Sequence, residues 1–431
     1  MSPGSIAMIV LSLLVLGGSV LVFARLSGGV SVDLNAVASD VVNLVQRAEE
    51  TRAEENTPGG NQSQIASGSA GNAASGAAAR VPDQEQPAGA DTFTMTVGGV
   101  IQLAGEVRKN SRSADSKKYD YSDVLMLLQP YFDADLNGVF LENILSDTEK
   151  ISDVVAPANV AEALKQAGIG MAACGFPRAF ELETKGISET RSALTDQSIL
   201  PIGIREADEQ SVIPIRNVNG YRVALLQYTG GVSASVRKNM TKEDLTDMIP
   251  EAEEEQIAAE IRTAREQGAQ AVVVLLNWGK TGKSPDTNQV SLAAKIAEAG
   301  ADLIIGAGSR QLQGAEYLAG PEGRQVLCCW SLGSLITGDR GNVRRIAGYL
   351  LHVTFSRDGD RARLQKAEYT PVYAWKFKQD GSFFYRCVAA NQPAPDGMDN
   401  EQQKYMANAL QIAETALAGS PVLQRTGKGG D

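Results

Sequence analysis

The sequence predicts an α/β fold on three observations. The runs VVVLL, DLIIG and VLCCW within residues 268–336 are short, β-branched and nearly all apolar, and each runs into a Gly-bearing turn, the pattern of strands buried on both faces. Upstream, strand-like runs alternate with helix-periodic segments, as in a sheet built with helical crossovers. From residue 347 the texture changes to aromatic, alternating runs (YLLHVTF, SFFYRCV) joined by Asp358-Gly359 and Asp380-Gly381, the chemistry of antiparallel hairpins.

Taken in order, FTMTV (93–97) alternates and stops at Gly98-Gly99, which reads as the first strand and its turn. Residues 121–132 place Val124, Leu125, Leu128 and Phe132 on one helical face, and residues 135–145 read as a second strand. PANVAEALKQA (157–167) has Pro near its start and Gly168 after its end, a helix with ordinary punctuation, and IGMAACGF follows as a third strand. Residues 186–195 supply a further helix, LLQYTG a strand, residues 251–267 a helix leading into the central strands, and residues 399–417 a final helix.

Residues 6–24 (IAMIVLSLLVLGGSVLVFA) are uncharged over about the length needed to cross a bilayer. A membrane anchor within residues 1–25 is expected; a cleaved signal peptide is the competing reading, although no basic segment precedes the apolar run. Only the N-terminal amine and Arg25 flank it, too little to orient it. Residues 26–55 carry Leu34, Val37, Val41, Leu44 and Val45 at helical spacing, an amphipathic juxtamembrane helix. Residues 56–91 are Gly, Ser, Ala, Asn, Gln and Pro with almost no large apolar side chain, a disordered linker by composition. A globular domain over 92–375 and a strand-and-helix extension over 376–431 complete the division.

A net charge of -11 without a basic run excludes nucleic acid as a partner. Cys174, Cys328, Cys329 and Cys387 form no CxxC pair, and His352 is the single histidine, so the four thiols read as buried apolar residues. A bridge from Cys174 to Cys328 or Cys329 is permitted if the domain lies outside the cell. Cys174, Ser309 and Ser331 lack a sequence-adjacent base, and the turns at Gly306 and Gly230-Gly231 lack the Gly-Lys-Ser/Thr ending of a P-loop. His352 lies in an alternating run and reads as a sheet residue.

The ordered blocks YDYSDVLMLLQPYFDADLNGVFLEN, VAEALKQAGIGMAACGF, ALTDQSILPIGI, VNGYRVALLQYTG, VVVLLNWG, AGADLIIG and SLGSL, spread over residues 93–373, carry a resemblance to the bacterial capsule-biosynthesis family of CapA and PgsA, associated with poly-γ-glutamate. The resemblance implies a metallophosphatase-like α/β/β/α sandwich and divalent metals at the strand ends. The residues depart from the metal pattern throughout. Where the family has Gly-Asp, this chain has Gly98-Gly99; where it has Asn-Leu-Glu, Phe140-Leu141-Glu142; where it has Asn-Asn-His, Cys174-Gly175-Phe176; where it has His-Trp-Gly, Asn277-Trp278-Gly279; and where it has Gly-His-His-Pro-His, Gly306-Ala307-Gly308-Ser309-Arg310. Glu142, Trp278, Asp302, Gly306, Glu316 and Gly333 persist.

A two-metal phosphoesterase needs imidazoles and carboxylates around ions about 3.5–4 Å apart. Gly99, Phe140, Phe176 and Gly308 offer no ligand atom, Asn277 a weak carbonyl, and Arg310 repels a cation, so no cofactor and no catalytic residue is expected. An oxygen-ligated ion at Glu142, serving a residual hydrolase or synthesis component, is one rival. A purely structural envelope module whose cleft Phe140 and Phe176 fill is another. Arg310, with Lys280, Lys283 and Arg178 after neighbouring strands, suggests instead an anion-binding cleft. The residues thus suggest a membrane-anchored accessory protein acting without catalysis, and the resemblance implies that its domain lies outside the cell and serves capsule, poly-γ-glutamate or envelope assembly alongside an acidic polymer or envelope-assembly proteins.

Overall fold

The computed structural model describes residues 91–112, 118–206, 212–238, 240–241, 248–379, 382–418 and 423–426. The expected membrane segment, juxtamembrane helix and linker fall outside these residues apart from Asp91, as does the Asp380-Gly381 turn. Among the described residues no helix is long and apolar enough to cross a membrane.

The chain builds part of one sheet, all of a second, and then returns to finish the first. Strands β1 (Thr92–Ile101), β2 (Leu136–Leu141), β5 (Met171–Ala173) and β6 (Leu200–Ile202) lie parallel in that order, while β3 (Ile144–Leu145) and β4 (Val155–Ala156) pair with each other. The second sheet holds β7 (Ile215–Val218), β8 (Tyr221–Thr229), β9 (Ala271–Asn277), β10 (Leu303–Ala307), β11 (Ala315–Ala319) and β12 (Gln325–Cys329) in the order β11-β12-β10-β9-β8-β7. The chain then re-enters the first sheet with β13 (Ser334–Ile336), parallel to the end of β1. Strands β14 (Ala347–Asp358), β15 (Arg361–Gln379) and β16 (Ser382–Ala389) extend it antiparallel from the side of β1 away from β2, the side β13 also takes, and β17 (Gln424–Arg425) pairs with β15.

Along β9 every residue is buried, and its side chains alternate between two cores. Val273 and Leu275 meet Met95, Val97, Phe140 and Met171 of the first sheet, whereas Val272 and Val274 face outward onto helices. This is why VVVLL carries no polar alternation. Helices α1 (Gly105–Asn110), α2 (Val160–Gln166), α3 (Glu183–Asp196), α4 (Ala234–Arg237), α5 (Glu254–Glu266) and α6 (Thr287–Glu298) precede the long α7 (Asn400–Leu417). Ile257 and Ile261 of α5 and Ile296 of α6 cover the outer face of the second sheet; Val160 and Leu164 of α2 and Ile187 and Leu194 of α3 cover that of the first. The layers are therefore helix, sheet, sheet, helix, the sandwich the resemblance implied.

Several local expectations are corrected. Gly98-Gly99 is not a turn: β1 runs through it to Ile101, with a register shift between Gly98 and Val100. Residues 121–132 form turns and a 3₁₀ helix over Met126–Tyr131 rather than an α-helix, because Pro130 has no N–H and disfavours helical geometry at Gln129. Val124, Leu125, Leu128 and Phe132 are buried all the same. The strand anticipated over 135–145 ends at Leu141, and Ile144–Leu145 pairs separately with β4. The anticipated division at 375 falls inside β15, and β16 pairs along the same strand, so the C-terminal strand belongs to the first sheet.

Candidate functional site

Parallel strands of both sheets end at one rim, and the polar residues just beyond those ends meet there. Gln102 follows β1, Glu142 follows β2, Asn277 closes β9, Gly308 and Arg310 follow β10, and Thr337, Asp339 and Arg345 follow β13. Glu142, Gln102, Gly308, Arg310, Ser334, Thr337, Asp339 and Arg345 line a cavity of about 20 Å³, room for roughly one water. Anything larger must bind across its mouth.

One hydrogen bond joins the two sheets here: Asn277 Nδ2 donates to Glu142 Oε1 at 2.8 Å, while Gln102 Nε2 donates to Oε2 at 3.4 Å. Burial pushes the Glu142 carboxyl above the ordinary carboxylate value, and the Asn277 hydrogen bond and the Arg310 charge offset this in part. Asp339 goes the other way. Burial raises it, but the Arg345 ion pair, the Gly341 amide and the charges of Arg345 and Arg310 together hold it below the usual range. Arg345 is thus occupied by Asp339. Arg310 is exposed, acts on both carboxyls through space, and makes no direct ion pair among the described residues. Its φ of 58° places a non-glycine residue in the left-handed region, a conformation that costs about 1–3 kcal/mol and is held by its surroundings.

The structure separates the other sequence candidates. Phe140 packs between the sheets and Phe176 under the outer helices, so neither fills the cleft. The Trp278 indole stacks on Trp330 at 5.9 Å and donates to its carbonyl at 3.0 Å, within the outer core of the second sheet. Arg178 is held in a two-pronged pair with Glu181, and Lys280 and Lys283 are exposed; none of the three lines the cavity with Arg310. The four-residue cationic cleft is therefore corrected to Arg310 beside the Arg345–Asp339 pair. Gln102, Thr337, Asp339 and Arg345 were missed, although the last three follow the quoted block SLGSL within 11 residues.

The vacated ligand positions are closed sterically. A Cβ on Gly99 would stand 2.3 Å from the Gly333 carbonyl oxygen, and one on Gly308 2.5 Å from Asn277 Oδ1. At Gly175 the space is taken by Gln227 of β8, whose Oε1 accepts from the Gly175 N–H and whose Nε2 donates to its carbonyl, both at 2.7 Å. The residues present do not fit a dinuclear metal centre, and among the described residues no three His, Cys, Asp or Glu side chains converge.

Covalent chemistry finds no better footing. Cys174 donates to the Ala172 carbonyl, and burial pushes its thiol up to about 12, leaving a thiol rather than a thiolate nucleophile. All four cysteines are free and buried, so the bridge permitted by compartment is not formed. His352 lies in β14 between the Thr96 and Thr370 hydroxyls at 3.0 and 2.9 Å, a sheet residue as expected.

Fold and site together define a two-sheet α/β protein whose strand-end cleft is built from amide, guanidinium and carboxyl groups. Residues 94–339 match the family described as Bacterial capsule synthesis protein PGA_cap, and the chain belongs to that family. A relative described as capsule biosynthesis protein CapA, from Bacillus anthracis, is 24% identical over 258 residues, 57% of this chain; the match spans 60% of that relative's length. Among solved structures, a phosphatase from Mycoplasma pneumoniae is 12% identical with a TM-score of 0.36, over 65% of this chain and 93% of the other. The calcineurin-like phosphoesterase YfkN from Bacillus subtilis is 10% identical with a TM-score of 0.35, over 75% and 98%.

Proposed function

We propose that this protein is a noncatalytic member of the capsule-synthesis family, anchored in the cell membrane by residues 6–24 with its domain outside, and that its cleft receives an anionic end group during capsule, poly-γ-glutamate or envelope assembly. The observation that carries the reading is the exchange at the strand ends. Glycine, asparagine and arginine stand where the family pattern has metal ligands, and backbone or amide groups occupy the freed space. With Asp339 engaged by Arg345 and Glu142 hydrogen-bonded to Asn277 and Gln102, Arg310 is the cavity-lining guanidinium that has no direct ion pair among the described residues. A planar guanidinium suits a carboxylate or phosphate.

Calorimetry of the full protein with poly-γ-glutamate and with inorganic phosphate tests this. Arg310→Ala weakens binding by about 10- to 150-fold, the range for a hydrogen bond to a charged group. Binding indifferent to Arg310, or none, leaves an envelope scaffold. Phosphoesterase activity with added manganese or magnesium, abolished by a chelator, overturns the noncatalytic assignment.

A further inference from the structure

The pairing of β15 with β14 stops at Tyr373↔Ala347, whereas its pairing with β16 continues from Ala374↔Cys387 to Gln379↔Ser382. Residues 374–379 and their partners therefore continue past β14 as a two-stranded ribbon about 20 Å long at about 3.3 Å per residue, buried as far as Phe377 and Tyr385 and exposed at its last rungs. β15 runs parallel to β1, since each is antiparallel to β14, so the ribbon leaves from the end that carries the cleft.

Its base is fixed, and the described residues beyond that base are exposed. Trp375 Nε1 donates to Gln402 of α7 at 2.9 Å, and Trp375 and Phe377 pack with Met398, Met406 and Ala409. Beyond them Lys378, Gln379, Ser382, Phe383 and Phe384 are all exposed, the two phenylalanines by 39% and 37%. As neighbours on one strand they point to opposite faces. Phe384 stacks on Phe377 at 5.7 Å, while Phe383 lies 4.1 Å from Lys376 Nζ and 5.9 Å from Lys378 Nζ. Neither lysine has an ion pair among the described residues; Glu106, which acts on Lys376 through space, is paired with Lys109. Residues 375–386 carry Lys376, Lys378 and Arg386 against Asp380, a local excess of two positive charges in a chain of net charge -11, and Arg386 pairs with Asp123 at the base.

We propose that this tip docks into the headgroup layer of an anionic lipid membrane. A groove or a linear acidic polymer covers one face of a ribbon and leaves the other aromatic ring in water. A lipid interface surrounds the tip, seating both rings at headgroup level and the ammonium groups among the phosphates. The inference goes beyond the reading of the cleft and uses none of its residues.

The test is the full-length protein with an environment-sensitive fluorophore on Ser382→Cys, selective because the native thiols are buried, and a control fluorophore on Asp360→Cys at the opposite end. Vesicles of mixed phosphatidylcholine and phosphatidylglycerol are expected to shift the Ser382→Cys emission to the blue. Pure phosphatidylcholine should not, and the control should not move. In Lys376→Gln/Lys378→Gln the ratio of shifted to unshifted probe falls about 25-fold, at roughly fivefold per lysine. No shift, an equal shift with neutral lipid, a shift that survives loss of both lysines, or a shift produced by soluble polyglutamate without lipid overturns the proposal.

Discussion

Glu142 shows how one side chain records the change in this site. Its position matches the family pattern, yet its partner across the rim is an amide, and burial raises its carboxyl. A group whose folded value lies above its unfolded one favours the fold fully below the unfolded value, and that contribution is lost as pH rises through the folded value. At neutral pH, above the ordinary carboxylate value, this contribution is diminished. Glu142→Gln, which keeps the acceptor for Asn277, is therefore expected to melt at a higher temperature than wild type at pH 7, with the gap closing toward about pH 4. Scanning calorimetry across that range checks it; a gap of constant size would assign the effect to packing instead.

At the scale of elements, the rim is held by strands reaching across to one another's loops. Gln227 belongs to β8 of the second sheet, and both ends of its amide engage the Gly175 backbone after β5 of the first. Gly175 and Gly203 leave the room it needs: a Cβ on Gly203 would fall 1.3 Å from Gln227 Oε1. Gln227→Leu leaves a buried N–H and a buried carbonyl without partners, and is expected to cost about 3 kcal/mol at about 1–3 kcal/mol per orphaned group. A denaturant midpoint that barely moves would mean that neighbouring groups take over both hydrogen bonds.

Across the whole molecule, charge pins the end opposite the cleft. Asp302, buried at the start of β10, accepts from the Val272 N–H at 2.7 Å and pairs with Arg265 from the end of α5 and with Arg361 at 3.0 Å; Arg324 approaches it to 3.8 Å. The arginines arrive from α5, from the β11–β12 connection and from the start of β15, so one carboxylate ties the second sheet to the hairpin of the first. Asp302→Asn removes the counter-charge of a part-buried cluster, with an expected loss of about 3–5 kcal/mol. Chemical denaturation measures it, and a loss below about 1 kcal/mol would show that solvent or Asp358 takes over the pairing.

The α/β class, strands β8, β9, β10 and β12, the helix leading into β9 and the family were legible in the sequence, because buried parallel strands need continuous apolar runs whatever surrounds them; β11 and α6 were not anticipated. So were the side chains at the family's ligand positions, since glycine and phenylalanine carry no side-chain donor for a metal and arginine repels a cation. The partners were not legible. Arg178, Lys280 and Lys283 looked equivalent to Arg310 because each follows a strand end, yet Arg178 pairs with Glu181 and neither Lys280 nor Lys283, both exposed, lines the cavity. Arg345 enters because β13 returns beside β1. Gln227 looked like an ordinary strand residue, and only the meeting of two sheets turns it into the plug at Gly175. By itself the sequence determined which side-chain atoms stand at these strand ends, because that depends on residue identity alone. The tertiary structure decided what replaced it, because distances between residues more than a hundred positions apart, such as Glu142 and Asn277, exist only once both sheets have formed.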